Sequence, residues 1–302
     1  MPDTIGFIGL GLMGRPMAKN LRKAGFALVV HSRSEGPVTD LVSAGATRAS
    51  SPADVARHAT RIITMLPDSP DVERVLEGPD GVFSAIQRGT VLIDMSSIAP
   101  ATAVRLAEVA LARGCTMLDA PVSGGEIGAI DGTLSIMVGG DADTFAAMKP
   151  IFDAMGKPER IIRIGKAGAG QICKLCNQMV LSGTIAVVGE AFTLARKAGV
   201  DPAKVRDALL GGFAQSRVLE VHGERMLKGN YKPGFRTELF AKDLRNVAAA
   251  LGENNSPAPI TSAAQQLVNA LVAQGRGLND YSELGKILFE IAGLEKAGSA
   301  AP

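Results

Sequence analysis

The chain has 302 residues, of which 46% are hydrophobic, 35 are glycine and none is tryptophan. Its 32 basic and 30 acidic residues are interspersed and give a formal charge of +2, which argues against a nucleic-acid-binding face or a basic membrane-binding surface. This length has room for about two domains, and the composition leaves a small molecule as the expected partner.

The first element is a short apolar strand over 4–10, followed by a helical pattern over 16–24 that stops at Gly25. Between them lies a G-x-G-x-x-G loop made of Gly9, Leu10, Gly11, Leu12, Met13 and Gly14. In such a loop the first two glycines make a tight turn that admits a pyrophosphate, and the third lets the helix pack on the strand. Residues 9–14 are therefore predicted to bind a dinucleotide coenzyme; the alternative is a purely structural turn.

The second strand, 27–30, ends at the sequence His31-Ser32-Arg33-Ser34. NAD-specific sites usually place an acidic residue here to hold the ribose 2′-OH. Ser32 instead offers a hydroxyl and Arg33 a guanidinium that suits a 2′-phosphate, so NADP is predicted as the preferred coenzyme and NAD as the alternative. The competing interpretation of Arg33 is a solvated side chain after a strand.

Strand and helix patterns then alternate, which predicts an α/β Rossmann-type domain over 1–165 with a mostly parallel sheet and helices on both faces. The predicted strands are 46–48, 61–66, 90–95, 115–120, 134–139 and 160–164, and the helices are 38–44, 52–58, 71–76, 100–113 and 141–155. Open α/β sheets bind ligands at the carboxyl ends of their strands. The residues expected to line the coenzyme site at this edge are Met65, Leu66, Pro67 and Ser97.

A glycine-rich stretch from Val122 to Gly132 follows the strand that ends in Asp119-Ala120-Pro121. The hydroxyl of Ser123 and the unhindered backbone N–H groups at Gly124 and Gly125 suit a carboxylate or another small anion. These three residues are predicted to cradle the substrate anion, with 126–132 as the connection that holds them. The alternative is a glycine-rich turn without a ligand.

Only helical patterns follow residue 165, which predicts an all-α domain over 166–302 that begins with a long interdomain helix over 171–198. The further predicted helices are 202–210, 216–227, 237–251, 259–274 and 282–292. The apolar run over 179–195 is interpreted as a buried helix rather than a membrane span. Cys173 and Cys176 form a C-x-x-C but are interpreted as structural thiols, and the cysteine usage indicates a reducing cytoplasm and no metal site.

The long helix carries Lys174, Asn177 and Gln178 near its start. Residues three apart share a helix face, so the lysine ammonium and the asparagine amide can point at one small ligand. A lysine beside the positive end of a helix and an oxidised nicotinamide is suited to general acid/base chemistry. The alternative is a solvent-facing lysine with a capping asparagine. Lys242 and Asp243, on a later helix, by themselves fit an ordinary charged helix surface.

Several motifs, taken together and in this order, resemble the β-hydroxyacid dehydrogenase family over nearly the whole length. They are Gly6–Gly14, Ile63–Pro67, Asp94–Pro100, Asp119–Gly125, Gly170–Asn177, Lys232–Arg236 and Lys242–Leu244. The resemblance implies that Ser123, Gly124 and Gly125 bind the substrate carboxylate, with Lys174 as the catalytic acid/base. Substrate-side residues would be Asn177, Gln178, Phe235 and Asp243, and Ser97 and Lys242 would line the nicotinamide side. Relatives often carry a second asparagine where this chain has Gln178, which leaves its role open.

The resemblance further implies NAD(P)H-dependent reduction of a small carboxylate-bearing semialdehyde, with tartronate semialdehyde and its product D-glycerate expected. Reduction of succinic semialdehyde, methylmalonate semialdehyde or glyoxylate, or oxidation of 3-hydroxyisobutyrate, is the alternative within the family. A coenzyme-binding sensor without turnover is the alternative from another class. The protein is expected to be a cytoplasmic homodimer or homotetramer that needs no metal, nucleic acid or membrane.

Overall fold

The computed structural model describes residues 4–294. The chain divides into two compact units, Met1–Lys174 and Leu175–Pro302, and the division falls inside one long helix. The domain limits expected from the sequence, 1–165 and 166–302, remain a prediction, and their outer ends, 1–3 and 295–302, lie outside the described residues.

The first unit is built on a sheet whose strand order is β3-β2-β1-β4-β5-β6-β8-β7, with β9 paired to β8. All pairs from β3 to β6 are parallel, whereas β8 is antiparallel to β6 and β7 and parallel to β9. This arrangement confirms the mostly parallel Rossmann-type sheet. The strands are β1 Ile5–Ile8, β2 Leu28–His31, β3 Thr47–Arg48, β4 Arg61–Thr64, β5 Val91–Asp94, β6 Thr116–Asp119, β7 Val122–Ser123, β8 Leu134–Gly139 and β9 Gly156–Gly165.

Helices connect these strands, and a short 3-10 helix, Val82–Ser84, precedes β5. They are α1 Gly14–Lys23, α2 Glu35–Ser43, α3 Pro52–His58, α4 Ser69–Glu77, α5 Pro100–Ala112, α6 Gly125–Asp131 and α7 Ala142–Asp153. Helix α6 takes the place of the predicted connection over 126–132. It has only 7 residues and ends at Gly132 in the left-handed conformation, so it is too short to show a helical period in the sequence.

Apolar side chains cover both faces of the sheet. Ile62 and Ile63 are consecutive in β4 and fully buried, yet they belong to different hydrophobic clusters. Neighbouring residues of a strand point to opposite faces, so each face has its own core. The carboxyl edge of the parallel strands is left to carry polar residues and glycines.

The second unit is helical, as predicted, and is entered through α8, Ala169–Lys197. The other helices are α9 Pro202–Leu210, α10 Arg217–Lys228, α11 Thr237–Glu253, α12 Pro259–Ala273 and α13 Leu284–Ile291, preceded by the 3-10 helix Tyr281–Glu283. A β-carbon at Gly189 of α8 would lie 2.8 Å from the Cα of Gly285, so α8 and α13 touch backbone to backbone and Gly189 has no room for a side chain.

Within residues 4–294, α8 is the one helix that length and composition would allow to cross a membrane. Its inward-facing residues Ile185, Val188 and Phe192 are buried in the hydrophobic cluster of the second unit. A long core helix passes the same test of length and hydropathy. The burial of these residues agrees with the predicted core helix.

Candidate active site

The glycine-rich loop after β1 has the geometry of a coenzyme-binding turn. Gly9 adopts a φ of 98°, and a β-carbon there would lie 2.3 Å from the carbonyl oxygen of Met65. A β-carbon at Gly14 would lie 1.9 Å from the carbonyl oxygen of Gly9. At Gly11, by contrast, no described atom comes within 4 Å. The outer glycines are thus required by the protein's own packing, whereas Gly11 keeps open a space that a pyrophosphate would fill.

The N-terminus of α1 is free to receive an anion. No side chain in the described part of the chain caps this helix, and its first turn holds no acidic residue. Leu12 is half exposed and Met13 is half-buried beside the open backbone. The N–H of Arg15 donates to the carbonyl of Gly11 at 3.1 Å and Pro16 has no N–H, so the fit of residues 9–14 to a coenzyme pyrophosphate rests on the N–H groups of 10–14 and on the partial positive charge of the helix N-terminus.

The end of β2 presents the two residues predicted to contact a 2′-phosphate. The guanidinium of Arg33 is 77% exposed and lies 3.8 Å from a carboxylate oxygen of Asp71, to which Arg74 donates at 3.0 Å. The Ser32 hydroxyl accepts a long hydrogen bond of 3.4 Å from the N–H of Ser34. Arg33 is therefore solvent-facing and its ion pair with Asp71 is loose, which leaves the guanidinium available to a phosphate.

The loop over 65–67 is tied to the end of β5 by buried hydrogen bonds. The N–H of Leu66 donates to the hydroxyl of Ser96 at 2.9 Å, and that hydroxyl donates to Asp94 at 2.6 Å. Thr64 donates to the same carboxylate oxygen at 2.7 Å. Burial raises the pKa of Asp94 to about 6, against the lowering effect of these hydrogen bonds. The carboxylate fixes the backbone that precedes Ser97, which is half-buried.

The predicted anion cradle lies where β7 meets α6. Ser123 pairs with Ser135 of β8, and the chain then turns through Gly124 at φ 139° and Gly125 at φ 63°. Both angles fall where L side chains are strained, so the turn requires glycine at both positions. Gly124 and Gly125 are exposed, and a β-carbon at Gly125 would meet no described atom within 4 Å. The backbone here is open to a ligand.

A buried carboxylate, Asp119 at the end of β6, holds the N-terminus of α8. It accepts the N–H of Gly168 at 2.7 Å and the N–H of Gln171 at 2.9 Å. Gly170 allows this approach, because a β-carbon there would lie 2.3 Å from the carbonyl oxygen of Met137. Burial is the main cause of a raised pKa at Asp119. The start of α8 is thereby fixed to the sheet, and Lys174 follows on the next turn, itself 8% exposed.

In the second unit, polar side chains from α8 and α11 form one hydrogen-bonded chain. The amide of Asn177 donates to Gln178 at 2.8 Å, and Gln178 donates to Asp243 at 2.5 Å. The other oxygen of Asp243 lies 2.7 Å from the ammonium of Lys242. Both charged residues are buried, at 2% and 6% exposure, so the interpretation of an ordinary charged helix surface is wrong. Gln178 thus links the Asn177 amide to the Asp243 carboxylate.

Phe235 makes its contacts at another place in the second unit. Its ring packs edge-on against Tyr281, with ring centroids 5.5 Å apart, and its N–H donates to the buried carboxylate of Asp280 at 3.1 Å. Arg225 lies 3.1 Å from the same carboxylate. The loop that carries Phe235 is therefore held within the second unit by the buried carboxylate of Asp280, which also pairs with the half-buried Arg225.

The structure thus brings most predicted residues into two groups. In the first unit Asp94 holds the 65–67 loop through Ser96, Asp119 holds the start of α8, and the glycine loop lies against Met65. In the second unit Asn177, Gln178, Lys242 and Asp243 form one chain. Sequence reasoning assigned no role to Asp94, Asp119 or Gln171, although the first two lie one residue before the ends of predicted strands. That position was the available signal, because strand ends at this edge carry function.

The comparisons with known proteins agree with this geometry. A model of the NAD-binding domain of 6-phosphogluconate dehydrogenase matches residues 4–168, and a model of the NAD-binding region of NADP-dependent 3-hydroxyisobutyrate dehydrogenase matches residues 168–288. The chain is 47% identical to 2-hydroxy-3-oxopropionate reductase of Escherichia coli (strain K12), over 94% of this chain and 96% of that protein. The chain belongs to the 3-hydroxyisobutyrate dehydrogenase-like β-hydroxyacid dehydrogenase family.

Other β-hydroxyacid dehydrogenases are similar at lower identity. The chain is 38% identical to an NAD-dependent L-serine dehydrogenase of Pseudomonas aeruginosa, over 94% of this chain and 97% of that protein. The structure matches Mycobacterium tuberculosis 3-hydroxyisobutyrate dehydrogenase, solved with L-serine, with a TM-score of 0.87 and 33% identity over 95% of this chain and 99% of that chain. This family member is therefore an NAD(P)-dependent oxidoreductase that acts on a CH–OH group, as the resemblance implied.

Proposed function

We propose that the enzyme reduces tartronate semialdehyde to D-glycerate with NADPH, and catalyses the reverse oxidation when product accumulates. The observation that carries the choice of substrate is the 47% identity with 2-hydroxy-3-oxopropionate reductase, higher than the 38% identity with the L-serine dehydrogenase. Tartronate semialdehyde has the chemistry that the site needs: a carboxylate for an anion cradle and an aldehyde oxygen to accept a proton.

In this proposal the cradle over Ser123, Gly124 and Gly125 binds the carboxylate through the serine hydroxyl and the backbone N–H groups. Fixing the carboxylate limits the orientations of the aldehyde, which lowers the entropy cost of reaching the reactive geometry. Asn177, on the turn of α8 after Lys174, orients the substrate by hydrogen bonding. Gln178, Phe235 and Asp243 are assigned supporting substrate-side positions.

The reduced coenzyme supplies a hydride to the aldehyde carbon when it is bound. Lys174 donates a proton from its ammonium to the aldehyde oxygen as negative charge develops there, which yields the hydroxyl of the product. In the oxidative direction the neutral amine of Lys174 takes that proton back. The burial of Lys174 on a helix anchored by Asp119 supports this role, because a general acid must be held in a fixed place.

For the coenzyme, we propose contacts from Gly9, Leu10, Gly11, Leu12, Met13, Gly14, Ser32, Arg33, Met65, Leu66, Pro67, Ser97 and Lys242. The preference for NADP over NAD rests on Arg33, whose exposed guanidinium lies where an NAD-specific protein would carry an acid. The loose ion pair between Arg33 and Asp71 is easily exchanged for a phosphate, since exposed pairs contribute little free energy.

We further propose a cytoplasmic homodimer or homotetramer. Val180, Val187 and Leu194 are exposed on one side of α8, at 69%, 56% and 70%, and an apolar stripe of this kind is typical of a surface that another subunit covers. Light scattering of the purified protein tests this: a Val187→Glu, Leu194→Glu double variant is expected to shift to a smaller species, and a wild-type monomer contradicts the proposal.

A substrate panel tests the proposed reaction. Steady-state rates are measured with tartronate, succinic and methylmalonate semialdehydes and glyoxylate, each with NADH and NADPH, together with oxidation of 3-hydroxyisobutyrate and L-serine. Tartronate semialdehyde with NADPH is expected to give the highest kcat/KM. A higher value for another acid reassigns the substrate within the family, and no coenzyme oxidation with any of them supports the non-catalytic sensor.

A further inference from the structure

The side chain of Gln171, in the first turn of α8, makes an unusual pair of contacts with the loop after β5. Its amide nitrogen donates to the carbonyl oxygen of Ser96 at 2.8 Å, and its amide oxygen accepts the N–H of Ile98 at 3.1 Å. These two groups flank Ser97 on either side. One amide therefore clamps the backbone around Ser97, and the two contacts together fix which end of the amide is oxygen.

The backbone of Gln171, which carries the clamp, is itself held in place by a hydrogen bond. The backbone N–H of Gln171 donates to Asp119 at 2.9 Å, and Gln171 is fully buried. Lys174 lies three residues later on the same helix, so it shares a helix face with Gln171. The backbone around Ser97 and the face that carries Lys174 are thus connected through one side chain.

We propose that Gln171 is a positioning residue for the reaction: it fixes the distance between Ser97, on the nicotinamide side, and the proton donor Lys174. This inference rests on the proposed function of those two residues. A buried amide held at both its nitrogen and its oxygen is restricted in its motion, and its removal leaves the N–H of Ile98 and the carbonyl of Ser96 without these partners. A shift of about 1 Å between coenzyme and acid is enough to slow the reaction about a hundredfold.

Two substitutions at this position separate positioning from simple packing. Gln171→Met keeps the length of the side chain and loses both hydrogen bonds. Gln171→Glu keeps an acceptor for the N–H of Ile98, but its ionised form places a negative oxygen against the carbonyl of Ser96. When protonated, the same carboxyl donates to Ser96 and accepts from Ile98, so both contacts return. Burial raises the pKa of such a carboxyl and brings its protonation toward neutral pH.

The exposed residue Gln87 offers a control for the same substitution away from the site, Gln87→Met. The amide of Gln87 donates to the carbonyl of Arg57 at 3.1 Å, at the opposite edge of the sheet, before β5 begins. Each variant is checked for its melting temperature, and rates are expressed per NADPH-binding site, counted by coenzyme fluorescence titration. Loss of folded protein is thereby separated from loss of rate.

The experiment measures kcat as a function of pH for the wild type and the three variants, with the best substrate of the panel. Gln171→Met is expected to lower kcat about thirtyfold to a hundredfold at every pH, with KM for NADPH changed less than about threefold. The ratio of Gln171→Glu to wild type is expected to rise as pH falls. Asp94 and Asp119, whose pKa values are raised by burial, and Lys174 are present in all variants, so the ratio to the wild type, rather than the absolute rate, is the quantity compared.

A kcat for Gln171→Met within about twofold of the wild type, or identical pH-independent losses in both Gln171 variants, overturns the proposal. Hydrogen exchange provides a readout that needs no substrate. The Ile98 amide is expected to exchange at least about tenfold faster in Gln171→Met and to be unchanged in Gln87→Met. If the wild type reduces no substrate of the panel, the proposed function fails, and unchanged exchange at Ile98 would separately show that the clamp does not exist.

Discussion

The helices α1 and α8 both begin at the carboxyl edge of the sheet, but their N-termini differ in whether a side chain accepts their N–H groups. No side chain in the described chain caps α1, and Gly11 beside it borders open space. The N-terminus of α8 is closed by Asp119, which accepts the N–H of both Gly168 and Gln171. The open N-terminus retains its positive end for a phosphate, whereas the closed one gives up anion binding and holds a side chain, Lys174, in a fixed place.

The largest effect is expected from removing that side chain. Lys174→Ala should lower kcat by about 10³-fold to 10⁴-fold, because general acid catalysis contributes at about this level, and should change NADPH affinity by less than about threefold. Stopped-flow oxidation of NADPH and fluorescence titration measure the two quantities. Near-normal turnover would remove Lys174 from the mechanism, and a large loss of NADPH affinity would place it at the coenzyme instead.

The second-largest effect on kcat is expected from a change in Asp119, which closes the N-terminus of α8. Asp119→Asn leaves one acceptor for two buried N–H groups and turns an amide N–H₂ toward one of them, which should cost about 2–3 kcal/mol of unfolding free energy and lower kcat at least about tenfold. Asp141→Ala, which removes the cap of α7 from Thr144, is the control. It should cost about 1 kcal/mol and leave kcat unchanged. Equal losses of activity in both variants would mean that Asp119 acts only through stability.

A second buried carboxylate, Asp94, makes the stability of this edge of the sheet depend on pH. Its pKa is raised by burial from 3.8 to about 6, so the folded protein holds this proton more tightly than the unfolded chain does. The contribution of Asp94 to stability is therefore greatest below the unfolded pKa and is lost as pH rises through about 6, a cost of order 2–3 kcal/mol at pH 8.

Asp94→Asn should remove that cost, since an amide oxygen still accepts from Thr64 and Ser96. The variant is expected to gain stability at pH 8 relative to the wild type and to gain much less at pH about 4.5 in urea titrations. A gain of the same size at both pH values would show that the ionisation of Asp94 is not the cause.

Only those parts of the site that follow from local sequence patterns could be predicted from the sequence. The glycine loop, the alternation of strands and helices over 1–165, and the placing of Lys174 and Asn177 on one helix face follow from short spacings that a strand, a turn and a helix impose locally. The roles of Asp119 and Gln171 depend on partners 49–75 residues away in the chain, which no local pattern contains. The burial of Lys242 and Asp243 likewise could not be predicted, because in the sequence these two residues fit an exposed helix, and the contact of Asp243 with Gln178 joins residues 65 apart in the chain.

On the open side of the comparison, Gly11→Ala tests the space beside α1. A β-carbon at Gly11 meets no described atom, so the melting temperature should be unchanged, while the affinity for either coenzyme should fall about tenfold as the methyl group enters the pyrophosphate space. Gly14→Ala is the contrasting variant, because its β-carbon would lie 1.9 Å from a carbonyl oxygen and should destabilise the fold. Unchanged coenzyme affinity in Gly11→Ala would contradict the placement of the pyrophosphate.

The smallest effect is expected at the periphery of the coenzyme site. Arg33→Ala should weaken NADPH about fivefold to tenfold and NADH less than about twofold, because the guanidinium is exposed and serves only the 2′-phosphate. Dissociation constants from fluorescence titration, at one salt concentration, measure the difference. Equal effects on the two coenzymes would indicate that Arg33 is a solvated side chain that does not contact the 2′-phosphate.

The claim that α8 holds a proton donor is tested most directly by chemical rescue of Lys174→Ala with a small primary amine such as ethylamine, at saturating NADPH and tartronate semialdehyde. The rate of NADPH oxidation is expected to rise at least about tenfold with added amine and to saturate, because the space left by the lysine admits an ammonium that can donate the proton. A Lys174→Ala enzyme that turns over at the wild-type rate without amine would show that Lys174 is not the proton donor.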